Sequence, residues 1–456
     1  MPTHEPALTR TLGLRAVVLF GLAYMTPLIV LGIFGIIAET TAGATPSAYL
    51  LALGAMLFTA YSYGRMARTY PVAGSAYTYV RRAIDSRAGF LVGWAVLLDY
   101  FFLPMVIWLI GAAYLSAQFP GVPFPLWVLA FIVLTTVLNV LGIKVAQRAN
   151  AVLMTFQILV LVFFVLLAVR SLVAGSGAGS LFAVTPFLNG DSTVSGIAAG
   201  AAIAAYSFLG FDAVTTLTEE TRDPRRTIPR AILLVALIGG GIFVLVAYVT
   251  QLVHPGGVFE DSSSAAFDIA GAIGGSLFGA VFLAGLVVAQ FASGLAAQAS
   301  VSRLLFAMGR DSVLPRRVFG RVHPRFHTPV AGILLSGLVG LVALRLDVTT
   351  STSFINFGAF TAFTAVNLSV IALFLRRRRT GEPLPVLGYV VVPAVGAAVD
   401  LWLLTNLDGT AITLGLVWLA LGVGYLAVLT RGFRQAPPEV DFTDEDPVDT
   451  AVPAGR

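Results

Sequence analysis

The chain contains no cysteine, four histidines and few charged residues, 11% of 456 positions, where a soluble domain carries about 25%. Without cysteine there are no disulfides and no thiolate metal site, although this says little about compartment. His4, His254, His323 and His327 sit in tails and loops without metal-ligand spacing, and no nucleotide loop is present. No metal, cofactor or enzymatic centre is therefore expected. Long stretches also lack any Asp, Glu, Lys or Arg: 16–38, 40–64, 149–169, 231–253 and 269–302.

What fills those stretches is apolar, 57% of the whole chain. A bilayer core needs roughly 20 apolar residues per helix. The blocks are continuous rather than alternating, which argues against a β-barrel. Twelve membrane spans are expected, at about 16–38, 45–64, 88–116, 124–142, 150–169, 194–218, 231–252, 270–308, 329–345, 352–375, 384–404 and 410–430. The 46 glycines suit close helix packing in lipid. The fold class is thus all-α integral membrane.

The basic residues orient the chain. With the N-terminus in the cytoplasm, Arg65 to Arg87, Lys144 and Arg148, Arg222 to Arg230, Arg303 to Arg325 and Arg376 to Arg379 all fall inside. Only Arg170 and Arg345 fall outside. One missed span would scramble this alternation, so the positive-inside rule supports both count and orientation. The formal charge of +5 comes from the same bias and does not indicate nucleic-acid binding. Residues 1–15 read as a cytoplasmic tail, with no cleavage pattern after the first span. The Pro- and acid-rich segment 432–456 reads as a disordered cytoplasmic tail.

A carrier needs polar backbone at the bilayer midplane, and broken helices supply it. The first span, GLAYMTPLIVLGIFGI from Gly21, contains Pro27, Gly32 and Gly35. The sixth, AAYSFLGFDAVTTLTEE from Ala204, contains Ser207 and Gly210 ahead of Asp212. The two are five spans apart, the spacing of an inverted repeat of five and five. Glycines that only permit tight packing are the alternative.

Several stretches resemble a known family: GLAYMTP (21–27), SYG (62–64), AGSAYTYV (73–80), LLDYFFLPM (97–105), SFLGFDAVTTLTEETRD (207–223), SGLAAQASVSRLLFAMGRD (293–311) and INFGAFTAFTAVNLSV (355–370). They are similar to the amino acid–polyamine–organocation superfamily, and most to its bacterial putrescine importer branch. The resemblance implies a LeuT-type fold: a first repeat over 16–169, an inverted second over 194–375, and two further helices over 384–430. It implies a secondary transporter in the bacterial inner membrane, importing a small amino acid or amine by alternating access, with proton or sodium as coupling ion. A putrescine importer is the alternative within the class, and a channel the alternative outside it.

The resemblance also carries site residues. In the sixth span Ala205, Tyr206, Ser207 and Phe208 would cradle the substrate, Phe208 as a gate, with Gly210 permitting the break. In the first span Val30, Leu31, Gly32 and Ile33 occupy the substrate-facing turn. The amino-acid permeases place a Gly-Ser/Ala-Gly carboxylate cradle there, and the putrescine importers end it with an Asp; here only Gly32 remains. Two expectations follow. Free NH groups around Leu31 to Ile33 would still serve a zwitterion, and an Asp at position 32 would sharpen diamine binding. On that basis small amino acids or monoamines rank slightly above putrescine. Tyr100 matches a substrate-contacting tyrosine, with simple packing as the alternative. Gln157 and Ser293 align with the ion-coupling positions of relatives. An ionisable group inside the membrane is a functional candidate in its own right, which singles out Asp99 and Asp212; either could instead be a structural brace. Arg65 or Arg68 could close a cytoplasmic salt-bridge gate with the cluster from Glu219 to Arg226, or the cluster could be a solvated loop.

Overall fold

The computed structural model describes residues 11–72, 75–141, 146–218, 220–310, 314–326, 328–382 and 384–437. Most of both expected tails, together with Lys144 and Glu219, lies outside the described residues.

The chain opens with α1 (Leu14–Met25), the single turn α2 (Ile29–Gly32) and α3 (Phe34–Thr40). Next come α4 (Thr45–Thr69), the short α5 (Ser75–Ala83), α6 (Ser86–Gln118), α7 (Phe124–Leu141) and α8 (Ala146–Val173). After α9 (Val194–Ala204) two 3₁₀ turns follow, Ala205–Phe208 and Ala213–Leu217. The second half holds α10 (Pro224–Val253), α11 (Ala265–Arg310), the one-turn α12 (Arg316–Phe319) and α13 (Val330–Gly340), which ends in a 3₁₀ turn, Leu341–Leu344. It closes with α14 (Val348–Arg379), α15 (Val392–Thr405), entered through a π-helical turn at Leu387–Val391, and α16 (Gly409–Leu429). Among the described residues there is no sheet, only an isolated bridge between Leu12 and Thr221.

Among the described residues ten helices are long and apolar enough to cross a membrane, or eleven when α3 and α4, bent by 100°, count as one span. The expected ninth span, 329–345, is a shorter apolar helix, Val330–Leu344. The expected eighth, 270–308, lies within α11, whose backbone departs from helix at Gly275 (φ 73). Hydrocarbon offers no partner for a free backbone group, so helix starts must be satisfied locally. Asp85, Thr193, Asp347 and Asp408 do this, each accepting from a backbone NH in the first turn of α6, α9, α14 and α16.

The outer faces carry bare apolar side chains: Leu134 and Val137 on α7, Phe163 and Leu166 on α8, Leu416 and Leu421 on α16. Such a surface suits lipid rather than water. Inside, α4 packs along α10, α6 along α11, and α14 between α6 and α15. On the α6–α16 seam Trp94 and Trp418 stack at 5.0 Å, and each indole NH donates to the other residue's carbonyl at 2.8 Å. This exchange satisfies both buried donors and holds α16 against α6.

Candidate functional site

The first and sixth spans are both broken near their middles. The α1 helix stops at Thr26, which adopts a left-handed conformation (φ 48, ψ 80) ahead of Pro27. In the sixth span the chain passes from the 3₁₀ turn at Ala205–Phe208 through an extended Leu209 (ψ 128) to Gly210, whose φ is 106. The Tyr24 ring of α1 lies directly on Gly210, where a Cβ would overlap it. Asn356 of α14 steadies the end of α9 by donating its amide to the Ala202 carbonyl at 2.7 Å.

Beside these breaks lies a cavity of about 370 Å³. Tyr24, Thr26 and Ile29 line it from the first break, Tyr206 and Leu209 from the second, and Gln157, Gln290 and Ser293 from α8 and α11. At one end it reaches Arg303, whose side chain is exposed. Among the residues expected from sequence it therefore gathers Tyr206, Gln157 and Ser293. Gln157 and Gln290 are each almost wholly buried, and each retains one amide atom without a hydrogen-bond partner.

The other expected residues lie elsewhere. Ser207 is spent on the Tyr49 hydroxyl at 3.0 Å, and Phe208 is enclosed edge-on against Phe243. Ala205 is buried beside them. On the first break Val30, Leu31 and Ile33 are fully buried. The expectation of free NH groups there is corrected: Leu31 and Gly32 donate to the Leu28 carbonyl at 3.1 and 3.4 Å, and Ile33 donates to Ile29 at 3.2 Å. A single closed helical turn at Ile29–Gly32 consumes these donors internally. The Leu31 carbonyl is also occupied, by the Tyr114 hydroxyl at 2.7 Å. Gly32 faces Ile29, Ile110 and Leu286, an aliphatic setting.

The two intramembrane acids converge. Asp99 on α6 and Asp212 beside the second break interact electrostatically, and both act on Tyr24 and Tyr100. Asp99 also acts on Tyr206. The Ser75 hydroxyl donates to Asp212 at 3.1 Å, and Tyr63 reaches the same carboxylate. One oxygen of Asp99 is buried without a hydrogen-bond partner. Among the described residues no Lys or Arg acts on either acid. Tyr24 and Tyr206 thus line the cavity and also interact with Asp99. Tyr24, Tyr63, Ser75, Gln290 and Arg303 did not emerge as site residues from the sequence. Tyr24 sits inside GLAYMTP, and Gln290 interrupts an apolar run, so the residue types were visible but their convergence was not.

The anticipated salt-bridge gate is not seen among the described residues. Arg65 lies 4.8 Å from the ring centres of both Tyr61 and Tyr389 and donates to the Tyr61 hydroxyl at 2.9 Å. The Asp223–Arg226 pair is an exposed contact three residues apart, at 3.7 Å. Surface pairs of that kind contribute roughly 0–1 kcal/mol.

A bundle of apolar helices with two broken spans beside a cavity that holds a few polar groups is the architecture of a membrane carrier. The sequence profile of the amino acid permease family matches residues 16–396, and the chain belongs to that family. It is 41% identical over 441 residues to the low-affinity putrescine importer PlaP of Escherichia coli (strain K12), covering 96% of this chain and 98% of that protein. It is 26% identical over 440 residues to the methylthioribose transporter of Bacillus subtilis (strain 168), covering 92% and 93%. It is 25% identical over 440 residues to the branched-chain amino acid permease BcaP of the same organism, covering 92% of each. The chain is a multi-pass transport protein of the bacterial inner membrane and not an enzyme.

Proposed function

We propose that this protein is an alternating-access importer of a small aliphatic amine, with a diamine of the putrescine type ahead of monoamines and amino acids. The observation that carries this reading is the Asp99–Asp212 pair, set among Tyr24, Tyr63, Tyr100 and Tyr206 with no basic group among the described residues acting on it. Desolvating an ammonium costs several kcal/mol, and a nearby carboxylate offsets that penalty. Two ammonium groups need two carboxylates, whereas a zwitterion would bring its own carboxylate towards both acids. The internally paired NH groups at Leu31 to Ile33 offer that carboxylate nothing. The ranking drawn from Gly32 alone is therefore reversed. The tyrosine rings suit an alkylammonium by cation–π attraction, and their hydroxyls by hydrogen bonding.

In this reading the twelve spans comprise a five-plus-five inverted repeat and two further helices, with both termini cytoplasmic. The deciding experiment is counterflow in proteoliposomes, with putrescine, monoamines and neutral amino acids competing against labelled putrescine. Saturable counterflow with putrescine the strongest competitor is expected. A neutral amino acid that wins by about tenfold, some 1.4 kcal/mol, would overturn the substrate. Large single-channel currents in a planar bilayer would overturn the carrier itself.

A further inference from the structure

A third carboxyl inside the membrane takes no part in the site above. Asp400 on α15 is fully buried, and two side chains from two other helices reach it. The Thr59 hydroxyl of α4 donates to its Oδ2 at 2.8 Å, and the Asn367 amide of α14 donates to the same oxygen at 3.0 Å. The Asn367 amide also donates to the Thr59 hydroxyl at 3.1 Å. Gly396, one turn before Asp400, lies against Asn367; a Cβ there would sit 2.7 Å from its Oδ1. The three side chains form one compact cluster.

Its hydrogen-bond inventory is uneven. Asp400 Oδ1 and Asn367 Oδ1 are both buried with no donor. A carboxylate and an amide oxygen can only accept, so an ionised Asp400 leaves both orphaned. A single proton on Asp400 Oδ1 supplies what both lack: it makes the acid a donor and the amide oxygen its acceptor, alongside the existing NH-to-Oδ2 bond. An acid and a primary amide are complementary in this two-point pairing.

Among the described residues, the elements packed on α15 hold nothing that would neutralise a carboxylate. On α4, Arg65 lies six residues beyond Thr59, about 9 Å along the axis, and is engaged with Tyr61 and Tyr389. Arg68 is exposed. Tyr63 packs among Tyr79, Phe211 and Phe363, and Tyr49 is bonded to Ser207. The charges of α14 are Arg376 to Arg379 at its far end, exposed. Neither α9 nor the rest of α15 carries an ionisable side chain, and the π-helical turn carries only Tyr389. A metal cation is a poor fit, because hard cations draw on about six oxygens and only two are unused here.

We propose that Asp400 is a proton-binding site whose acid–amide pair with Asn367, closed by Thr59, fastens α4 to α14 and α15. The site is separate from the cavity and does not depend on the identity of the transported molecule. The α4 helix packs along both α9 and α10, so the proton on Asp400 governs how the broken sixth span's neighbour is anchored. Loss of the proton puts an uncompensated charge into this joint and loosens it.

The test uses the full-length protein. Asp400→Asn keeps the shape and presents an amide NH to Asn367 Oδ1, so it should retain wild-type thermal stability and counterflow at neutral pH. Infrared spectra of wild type should contain a protonated-carboxyl C=O band that is weaker in D400N by one group's intensity. As pH is raised, wild-type counterflow should fall as that band disappears, whereas D400N should lack this part of the alkaline fall. The wild-type titration stands alone if D400N fails to fold. An infrared band identical in wild type and D400N, or a band in wild type that outlasts the loss of counterflow, overturns the proposal. So does stabilisation by sodium at fixed pH that wild type shows and D400N does not.

Discussion

The Tyr24 ring lies on the α-carbon of Gly210, so the aromatic residue before one helix break rests on the glycine that makes the other. The contact joins the two interrupted spans at the level of the cavity. It has a double requirement, since Gly210 also holds φ 106. Gly210→Ala should fail on both counts: the left-handed backbone alone costs roughly 1–2 kcal/mol, and the methyl must displace Tyr24. Counterflow should drop about tenfold or more, with the thermal midpoint lowered. Gly54→Ala, at a helical position with open space around it, is the control and should behave as wild type. Equal behaviour of the two variants in uptake and thermal-shift assays would remove Gly210 from the mechanism.

The acid pair makes a chemical prediction. Asp99→Asn and Asp212→Asn each remove one negative charge while keeping the side-chain size. Each should weaken diamine binding by about tenfold or more, since a charge-assisted hydrogen bond contributes roughly 1.5–3 kcal/mol. A monoamine should suffer from one of the two changes far more than from the other, because it has a single ammonium to place. Competition binding on the two purified variants reads this difference directly. Equal losses for both ligands in both variants would mean that the acids brace the protein rather than divide the substrate.

Gly32→Asp is expected to harm rather than help. The new side chain would meet Ile29, Ile110 and Leu286 first, all aliphatic. An unpaired buried charge costs several kcal/mol. Yield and thermal stability should fall, and putrescine affinity should not improve. A folded G32D protein with tighter putrescine binding would restore the importance attached to this position from sequence.

Arg303 sets the sign of the potential at one end of the cavity. A cation leaving through this end moves past a positive charge, which lowers its local concentration there. Arg303→Glu should strengthen amine binding measured from that side by a few-fold, and the effect should fade with added salt as the charges are screened. A salt-independent change, or none, would mean that the side chain points its charge away from the path.

The sequence by itself determined the class of fold, because burial in lipid constrains composition. Each span needs an uninterrupted apolar block, and each loop's charge records its side of the membrane; both are local properties of the chain. The break of the sixth span was legible for the same reason, since Gly210 is a residue that tolerates positive φ. The assembly of the site was not. Asp99 and Asp212 were visible as isolated acids, but their mutual approach depends on how α6 lies against the second break. Ser207 and Phe208 lie at the break of the sixth span, but their contacts with Tyr49 and Phe243 come from other helices and were not legible. Asp400 drew no notice, because one acid in an apolar helix gains meaning only from Thr59, 341 residues away, and Asn367, 33 residues away. Hydrophobicity is summed along the chain, whereas hydrogen bonding and charge pairing are decided between side chains that only tertiary packing brings together.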